Sequence, residues 1–248
     1  MATNQDIFRG KGTIYIGLSD GSAPLLPIGN CTQLTNNVES EKKDLPDFEN
    51  AGGGNVASTE RINAVNLEAI LNDYSPQNLA IATRGAVTTY AGGSITDEAH
   101  ADIKVGGLIV LDKIPNTGSS IVVKRGATTL TVNSDYSVVR GGIITIAGGA
   151  NTLIDGDDLT VTYTGKASNV VQALINAGLE YRLFFDGLNE AKSGKAVRFE
   201  AFKCKPSPSS LNMIGDDYGA MTIRFEVIKD TSKNGTSASQ YYKLDVET

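Results

Sequence analysis

The stretch VNLEAILNDYSPQNLAIA, residues 65–82, decides how the chain is read. Val65, Leu67, Ala69 and Leu71 alternate with Asn66, Glu68 and Ile70, the period of two that gives a strand one apolar face. Ile62, Val65 and Ala69 also trace a helical stripe, so residues 61–73 support two readings. The strand is favoured because a helix start follows at once. Ser75 is a capping residue type, Pro76 suits the first helical position, and the short apolar body at residues 79–82 stops at Gly85.

Strand signals continue on the N-terminal side. Residues 12–18 (GTIYIGL) set Ile14, Ile16 and Leu18 against Thr13, Tyr15 and Gly17, and the run breaks at residues 19–22 (SDGS). Residues 28–40 read as a longer, more polar extended segment. Residues 39–55 then read as one long mobile loop, with mixed charges, Pro46 and the glycine run 52–54. Loops longer than about 12–15 residues without structure are commonly functional, which makes this the first place to look for an intermolecular contact. Its candidate contact residues are Lys42, Lys43, Asp44, Asp47, Phe48 and Glu49.

On the C-terminal side the texture changes near Val87. Short β-branched runs at 108–111, 120–125, 128–133, 136–139, 143–147 and 159–163 are separated by Gly or Asp turns, the pattern of a small all-β sandwich or barrel. This block holds its own apolar set and reads as an inserted Ig-like domain, 87–166, within a discontinuous domain of residues 1–86 and 167–248. Ser168 is a candidate cap for a second helix over 169–176, closing at Gly178. Strands follow at 180–185, before a turn at Asp186-Gly187, and at 195–205, stopped by Pro206-Ser207-Pro208. Residues 220–228 form another, and Tyr241, Tyr242, Leu244 and Val246 suit a final short strand.

Composition narrows the chemistry. The chain has 248 residues, 22 Lys plus Arg, 28 Asp plus Glu, and a net charge of −6. Stable nucleic-acid binding needs clustered cations, which this balance does not supply. The apolar run 141–154 is broken by Gly148, Gly149 and Asn151 and falls short of a membrane span. The first twelve residues lack the basic-then-apolar order of a signal peptide, so the expected setting is a cytoplasm. Cys31 and Cys204 suit that setting as two free, buried thiols, since pairing requires Cα atoms within about 7 Å.

The catalytic inventory is thin. The single histidine, His100, lies in an acidic stretch and reads as solvated, which leaves no Ser-His-Asp or Cys-His set. No zinc-ligand spacing occurs, no Lys-Ser/Thr follows the glycine run, and no G-x-G-x-x-G appears. Residues 155–158 (DGDD) read as a tight turn with Gly156 at positive φ rather than a calcium loop, because position twelve is Lys166. The sequons at Asn30 and Asn234 read as chance matches. No catalytic residue, metal or cofactor is expected, and no carboxylate pair is singled out for hydrolysis.

Three blocks resemble one family. Residues 65–82 are similar to the segment of long-tailed bacteriophage tail tube (major tail) proteins in which a strand leads into Ser-Pro-x-Asn-Leu-Ala and a short helix. Residues 183–189 (LFFDGLN), then KAVRFEAFKCKPSP, residues 211–219 (LNMIGDDYG) and MTIRFEVIKD resemble the C-terminal half of the same family. Residues 135–138, GGIITI and DGDDLTVTYTG resemble the β-rich insertion that many of these proteins carry. The similarity spans most of residues 10–230.

The resemblance implies a mainly-β, β-sandwich/barrel tail-tube fold with one or two short flanking helices and an inserted all-β domain. It implies hexameric rings, with strands joined into an inner barrel, stacked into a virion tail tube assembled in a bacterial cytoplasm. The implied partners are further copies of the chain, the tape measure, tail terminator and distal tail proteins, and DNA passing without specific binding. The loop at 41–57 corresponds to the one that docks on a neighbouring ring, and the insertion to an outer decoration. Acids beside candidate strands, Glu39, Glu41, Glu60, Glu68, Glu200 and Glu226, are the candidate lumen-facing charges, because a negative bore repels phosphate. The alternatives are a phage or bacterial surface adhesin binding carbohydrate through 87–166, with the absence of Trp against it, and a two-carboxylate hydrolase.

Overall fold

The computed structural model describes residues 7–176 and 178–248. Residues 1–6, half of the stretch read above for a leader, lie outside the described residues. In chain order the elements are β1 Gly10–Leu18, β2 Leu26–Pro27, β3 Cys31–Pro46, β4 Asn55–Leu71, α1 Pro76–Ala82, β5 Ala86–Tyr90, β6 Gly93–His100, β7 Leu108–Val110 and β8 Val122–Arg125. Then come β9 Thr128–Thr129, β10 Tyr136–Val139, β11 Gly142–Thr145, β12 Leu159–Gly165, β13 Ser168–Gln172, β14 Tyr181–Asn189, β15 Lys195–Ser207, β16 Met221–Val227 and β17 Tyr242–Val246. The protein is mainly β, with one α-helix among the described residues. It divides into two compact units, Met1–Val87 with Val171–Thr248, and Thr88–Val170.

The first unit is built on one sheet in the order β2-β1-β14-β15-β16-β4-β3. Strand β15 is the branch point, with Val197–Ala201 pairing β17 and Cys204–Ser207 pairing β16. The sheet folds over along this strand, because a single apolar cluster joins Ile14, Ile16 and Leu183 to Val65, Leu67, Leu71, Ile223 and Phe225. One layer is β1, β14, β17 and the first half of β15; the other is β3, β4, β16 and its second half. The alternation in β4 is what sends Val65, Leu67, Ala69 and Leu71 into the core, and the strand reading of 61–73 holds. Ser75 caps α1 by accepting from the Asn78 N–H at 3.4 Å, and Ile81 and Ala82 bury its inner face.

Several expectations are corrected. Residues 39–55 are not a loop: β3 runs to Pro46 and β4 begins at Asn55, so only residues 47–54 turn. The expected helix at 169–176 is absent: residues 168–172 are strand β13, paired with β5, and 173–174 turn; ladder bonds outweigh the weak helix propensity of Asn169, Val170 and Val171. The expected turn at Asp186-Gly187 is continuous strand, since β14 is held on both edges, by β1 and β15. Gly187 is there for packing, because the Phe185 ring lies where its Cβ would be. Strand β15 runs through Pro206 to Ser207 instead of stopping before it. His100 lies on β6 with its Nε2 3.0 Å from Glu98 Oε1, off the line a hydrogen bond requires, and is largely covered rather than solvated. Cys204 is buried, which pushes its thiol up to about 12, while Cys31 is only half-buried and donates to the Gln33 carbonyl at 3.0 Å.

The second unit packs sheets β6-β12-β8-β9 and β10-β11-β7 around Val123, Tyr136, Ile143, Leu159, Val161 and Tyr163. Its turn at 155–158 has Gly156 at φ 96°. Asp135, 0 % exposed, ties two loops together: its carboxylate accepts from the Thr131 N–H at 2.7 Å, the Asn151 N–H at 2.9 Å and Asn151 Nδ2 at 2.7 Å. Those donors, the Thr131 N–H first, hold its carboxyl below the ordinary aspartate value of 3.8.

Candidate functional site

The hairpin β3–β4 is paired along its whole length, from Cys31↔Leu71 to Pro46↔Asn55. The third strand, β16, accompanies it only from Leu71 to Asn66. Beyond that point the hairpin leaves the sheet as a two-stranded arm. Residues 38–46 at about 3.3 Å each make it roughly 30 Å long. A register shift between Glu39 and Ser40 leaves Asn63 without a partner at its root, an irregularity of the kind that re-aims a ribbon.

Local chemistry accounts for the arm's pairing. Glu41 faces Arg61 and Lys42 faces Glu60 across the two strands, and opposite charges in register favour that pairing. Ser40 Oγ donates to Glu60 Oε1 at 2.6 Å, Lys42 Nζ lies 3.2 Å from Asp44, and Lys43 Nζ lies 3.5 Å from Glu41. At the tip the Asp47 carboxylate accepts from Asn50 Nδ2 at 2.8 Å and from the Glu49 N–H at 2.8 Å. These bonds, the Asn50 side chain first, lower the Asp47 pKa; Ser58 and then Lys42 lower that of Asp44. Gly52, Gly53 and Gly54 close the turn at φ 140°, 72° and 126°, which side chains with a Cβ rarely adopt.

No packing covers the arm. Leu45, Val56 and Ile62 are exposed along it, and Phe48 is 86 % exposed at its tip. The structure therefore gathers the six loop residues expected from sequence on one projection. Lys42, Lys43 and Asp44 stand on β3, and Asp47, Phe48 and Glu49 in the turn.

The expected lumen acids separate. Glu39, Glu68 and Glu226 share the polar face of the β3-β4-β16 layer. Glu68 meets Arg224 Nε at 2.8 Å, Glu226 lies across from Asn66, and Asn66 Nδ2 donates to Glu39 Oε1 at 2.9 Å. Glu41 continues that alternation out along the arm, whereas Glu60 lies on the arm's other face, bonded to Ser40. Glu200 belongs to the other layer, 6 % exposed between Arg182 Nη2 at 2.6 Å and Lys243 Nζ at 3.3 Å. On the shared face the cations are matched too: Arg224 by Glu68, and Lys205 by Glu180 at 3.5 Å. It is a surface of paired charges rather than a run of one sign.

Three features carry no warning in the alternation. The outer edge of β3 has no partner strand among the described residues, and the opening between β1 and β3 is an apolar groove of about 700 Å³ lined by Ile14, Leu34, Leu67, Phe185, Phe199 and Leu244. At the strand end away from the arm, Met213, Ile214 and Tyr218 are exposed in the segment before β16. Their apolar character is visible in LNMIGDDYG; their exposure is not. Among the described residues, no group of His, Cys, Asp and Glu side chains is placed to hold a metal ion.

A family model described as "Protein of unknown function UCP028589" matches residues 7–245 of the chain. No curated protein matches it.

Proposed function

The chain belongs to that family, and we propose, on the structure and the resemblance described above, that it is a structural virion protein, the repeating subunit of a bacteriophage tail tube. The observation that carries the proposal is the β3–β4 arm, a two-stranded ribbon with free edges and exposed Leu45, Phe48, Val56 and Ile62. An isolated ribbon of this kind is marginal in water. Free edges are templates for pairing, and proteins either blunt them or use them. Here the arm carries apolar side chains to its tip, which is a surface for contact rather than protection against it.

The resemblance of residues 65–82 and 183–230 to tail tube proteins supplies the form of the assembly: six copies to a ring, rings stacked into a tube. The layer β3-β4-β16 with the second half of β15 is the part suited to lining the bore, since its outward face is polar. Phosphate retention grows with the number of free cations that meet the backbone. On this face Arg224 and Lys205 are held by Glu68 and Glu180, so DNA meets few cations free to bind it. The reading contains no turnover step and no cofactor.

Negative-stain electron microscopy of the pure protein at rising concentration tests it, with six-fold annuli and stacked tubes expected. A chain that stays monomeric at high concentration and also with the other tail components present overturns the reading, as does turnover of a small molecule.

A further inference from the structure

We infer that Asn234-Gly235 is a self-modifying site, at which the folded protein converts an asparagine to isoaspartate or aspartate with water as the co-reactant. The inference stands on the local backbone and does not depend on the tube reading.

The Gly235 amide nitrogen attacks Asn234 Cγ and a C–N bond forms. The Cγ–Nδ2 bond breaks, the proton of the attacking nitrogen passes through solvent to the departing group, and ammonia leaves. Water then opens the resulting succinimide at either carbonyl, giving aspartate or, with the main chain routed through the side-chain carbon, isoaspartate. The net change is asparagine plus water to aspartate plus ammonia. The reaction needs an attacking nitrogen not shielded by its own side chain, an N–H not held by an acceptor, and a backbone able to swing that nitrogen toward Cγ.

The sequence supplies the first requirement. Asn234-Gly235 is the chain's one Asn-Gly pair, and glycine has no Cβ to crowd its nitrogen. The structure supplies the rest. Both residues are exposed and lie outside any strand, in the segment between β16 and β17. Among the described residues, neither the Gly235 N–H nor the Asn234 side chain has a hydrogen-bond partner. The Asp230 N–H donates to the Gln240 carbonyl at 2.8 Å and closes the segment at its base, so the extra main-chain carbon of isoaspartate is taken up inside a surface loop.

The three Asp-Gly pairs, where the same ring can form, show what the fold withholds elsewhere. The Gly21 N–H is bound to the Leu18 carbonyl at 3.2 Å and the Gly156 N–H to the Ile103 carbonyl at 3.0 Å. Gly187 lies in β14, paired with Gly12 on one edge and Val197 on the other. A backbone held in this way reacts only after local opening. Asn234-Gly235 needs no such opening, and each copy that reacts gains one negative charge beyond the −6 of the sequence.

The test is a time course on the intact, folded chain in mildly alkaline buffer. Samples are cut by a Glu-specific protease under acidic conditions, and the peptide that follows Glu226 is read by mass spectrometry and by isoaspartate-specific methyl transfer. The expected result is progressive conversion at Asn234 alone, with ammonia released in step, and none over the same period in Asn234→Gln or Gly235→Ala. A Cβ on Gly235 meets only the Ala238 Cβ, at 3.4 Å, and φ there is not positive, so Gly235→Ala keeps the loop and changes the chemistry. In urea the Asp-Gly pairs are expected to isomerise as well. Conversion of Gly235→Ala at the parent's rate overturns the inference. So does an Asn234 that persists in the folded protein while the unfolded chain converts, or equal conversion at the other asparagines.

Discussion

The root and the arm of the β3–β4 hairpin are the same two strands under different conditions. In the root, Val65, Leu67, Ala69 and Leu71 alternate into a core, and β16 adds a third strand. In the arm the ladder continues beyond a register shift at its root, yet both faces and both edges are open to solvent. Pairing itself comes from short-range terms: a turn closed by three glycines, cross-strand charges and Asp47 at the tip. Stability comes from layered burial, which only the root has. A ribbon kept without that burial is free to seek it in another molecule.

The largest effect that can break this comparison is excision. Replacing residues 43–59 by Asn-Gly, which joins Lys42 to Glu60 through a turn suited to a two-residue hairpin, is expected to abolish ring stacking in electron micrographs. The thermal midpoint should move by less than about 2 °C. A subunit that melts instead shows the arm to be part of the fold.

Next comes a matched pair of truncations followed by urea unfolding. Leu67→Ala, in the root, removes a side chain 1 % exposed and is expected to cost about 2–5 kcal/mol. Leu45→Ala, in the arm, should fall within about 0.5 kcal/mol of the parent. Equal costs at both sites would erase the distinction.

Asp135 sharpens the contrast, as a buried charge that its hydrogen-bond donors stabilise against the cost of burial. Asp135→Ala orphans the Thr131 and Asn151 donors and is expected to destabilise the second unit by about 1–3 kcal/mol. Its folded pKa lies below the ordinary 3.8, so its contribution is complete above that value and is lost as pH falls through the lower folded one. Amide exchange at Thr131 and Asn151 should therefore accelerate, relative to intrinsic rates, only below about pH 4. Acceleration already at pH 6 would contradict the assignment.

The smallest effect belongs to the exposed counterpart. Asp47→Ala should speed exchange at Glu49 and Asn50 and leave global unfolding unchanged, because its bonds order only the turn. A shift in the unfolding midpoint would tie the tip to the body.

What was legible in the sequence follows the range of the interactions. The strand-then-helix at 65–82 was readable because alternation, a serine cap and a proline act over a few residues. The arm was misread as a loop because its residues alternate no apolar face: with solvent on both sides, nothing selects one. The strand at 168–172 was misread as a helix because its ladder partner, Ala86–Tyr90, is far away in sequence. The acids show the same limit. Glu39, Glu68 and Glu226 meet on one face while Glu200 lies in the other layer, and it is the fold along β15 that separates them.

The sequence by itself determined a β-rich chain with a textural break near Val87, a meagre catalytic inventory and a polar segment at 39–55, since period, turn residues and residue type are local properties. Only the tertiary structure decided that this segment is an arm, that the sheet doubles over at β15, and that Met213, Ile214 and Tyr218 stand exposed at the far end. Those outcomes depend on which strands find each other across long separations, and a strand edge or an apolar side chain is free only when no other part of the chain has reached it.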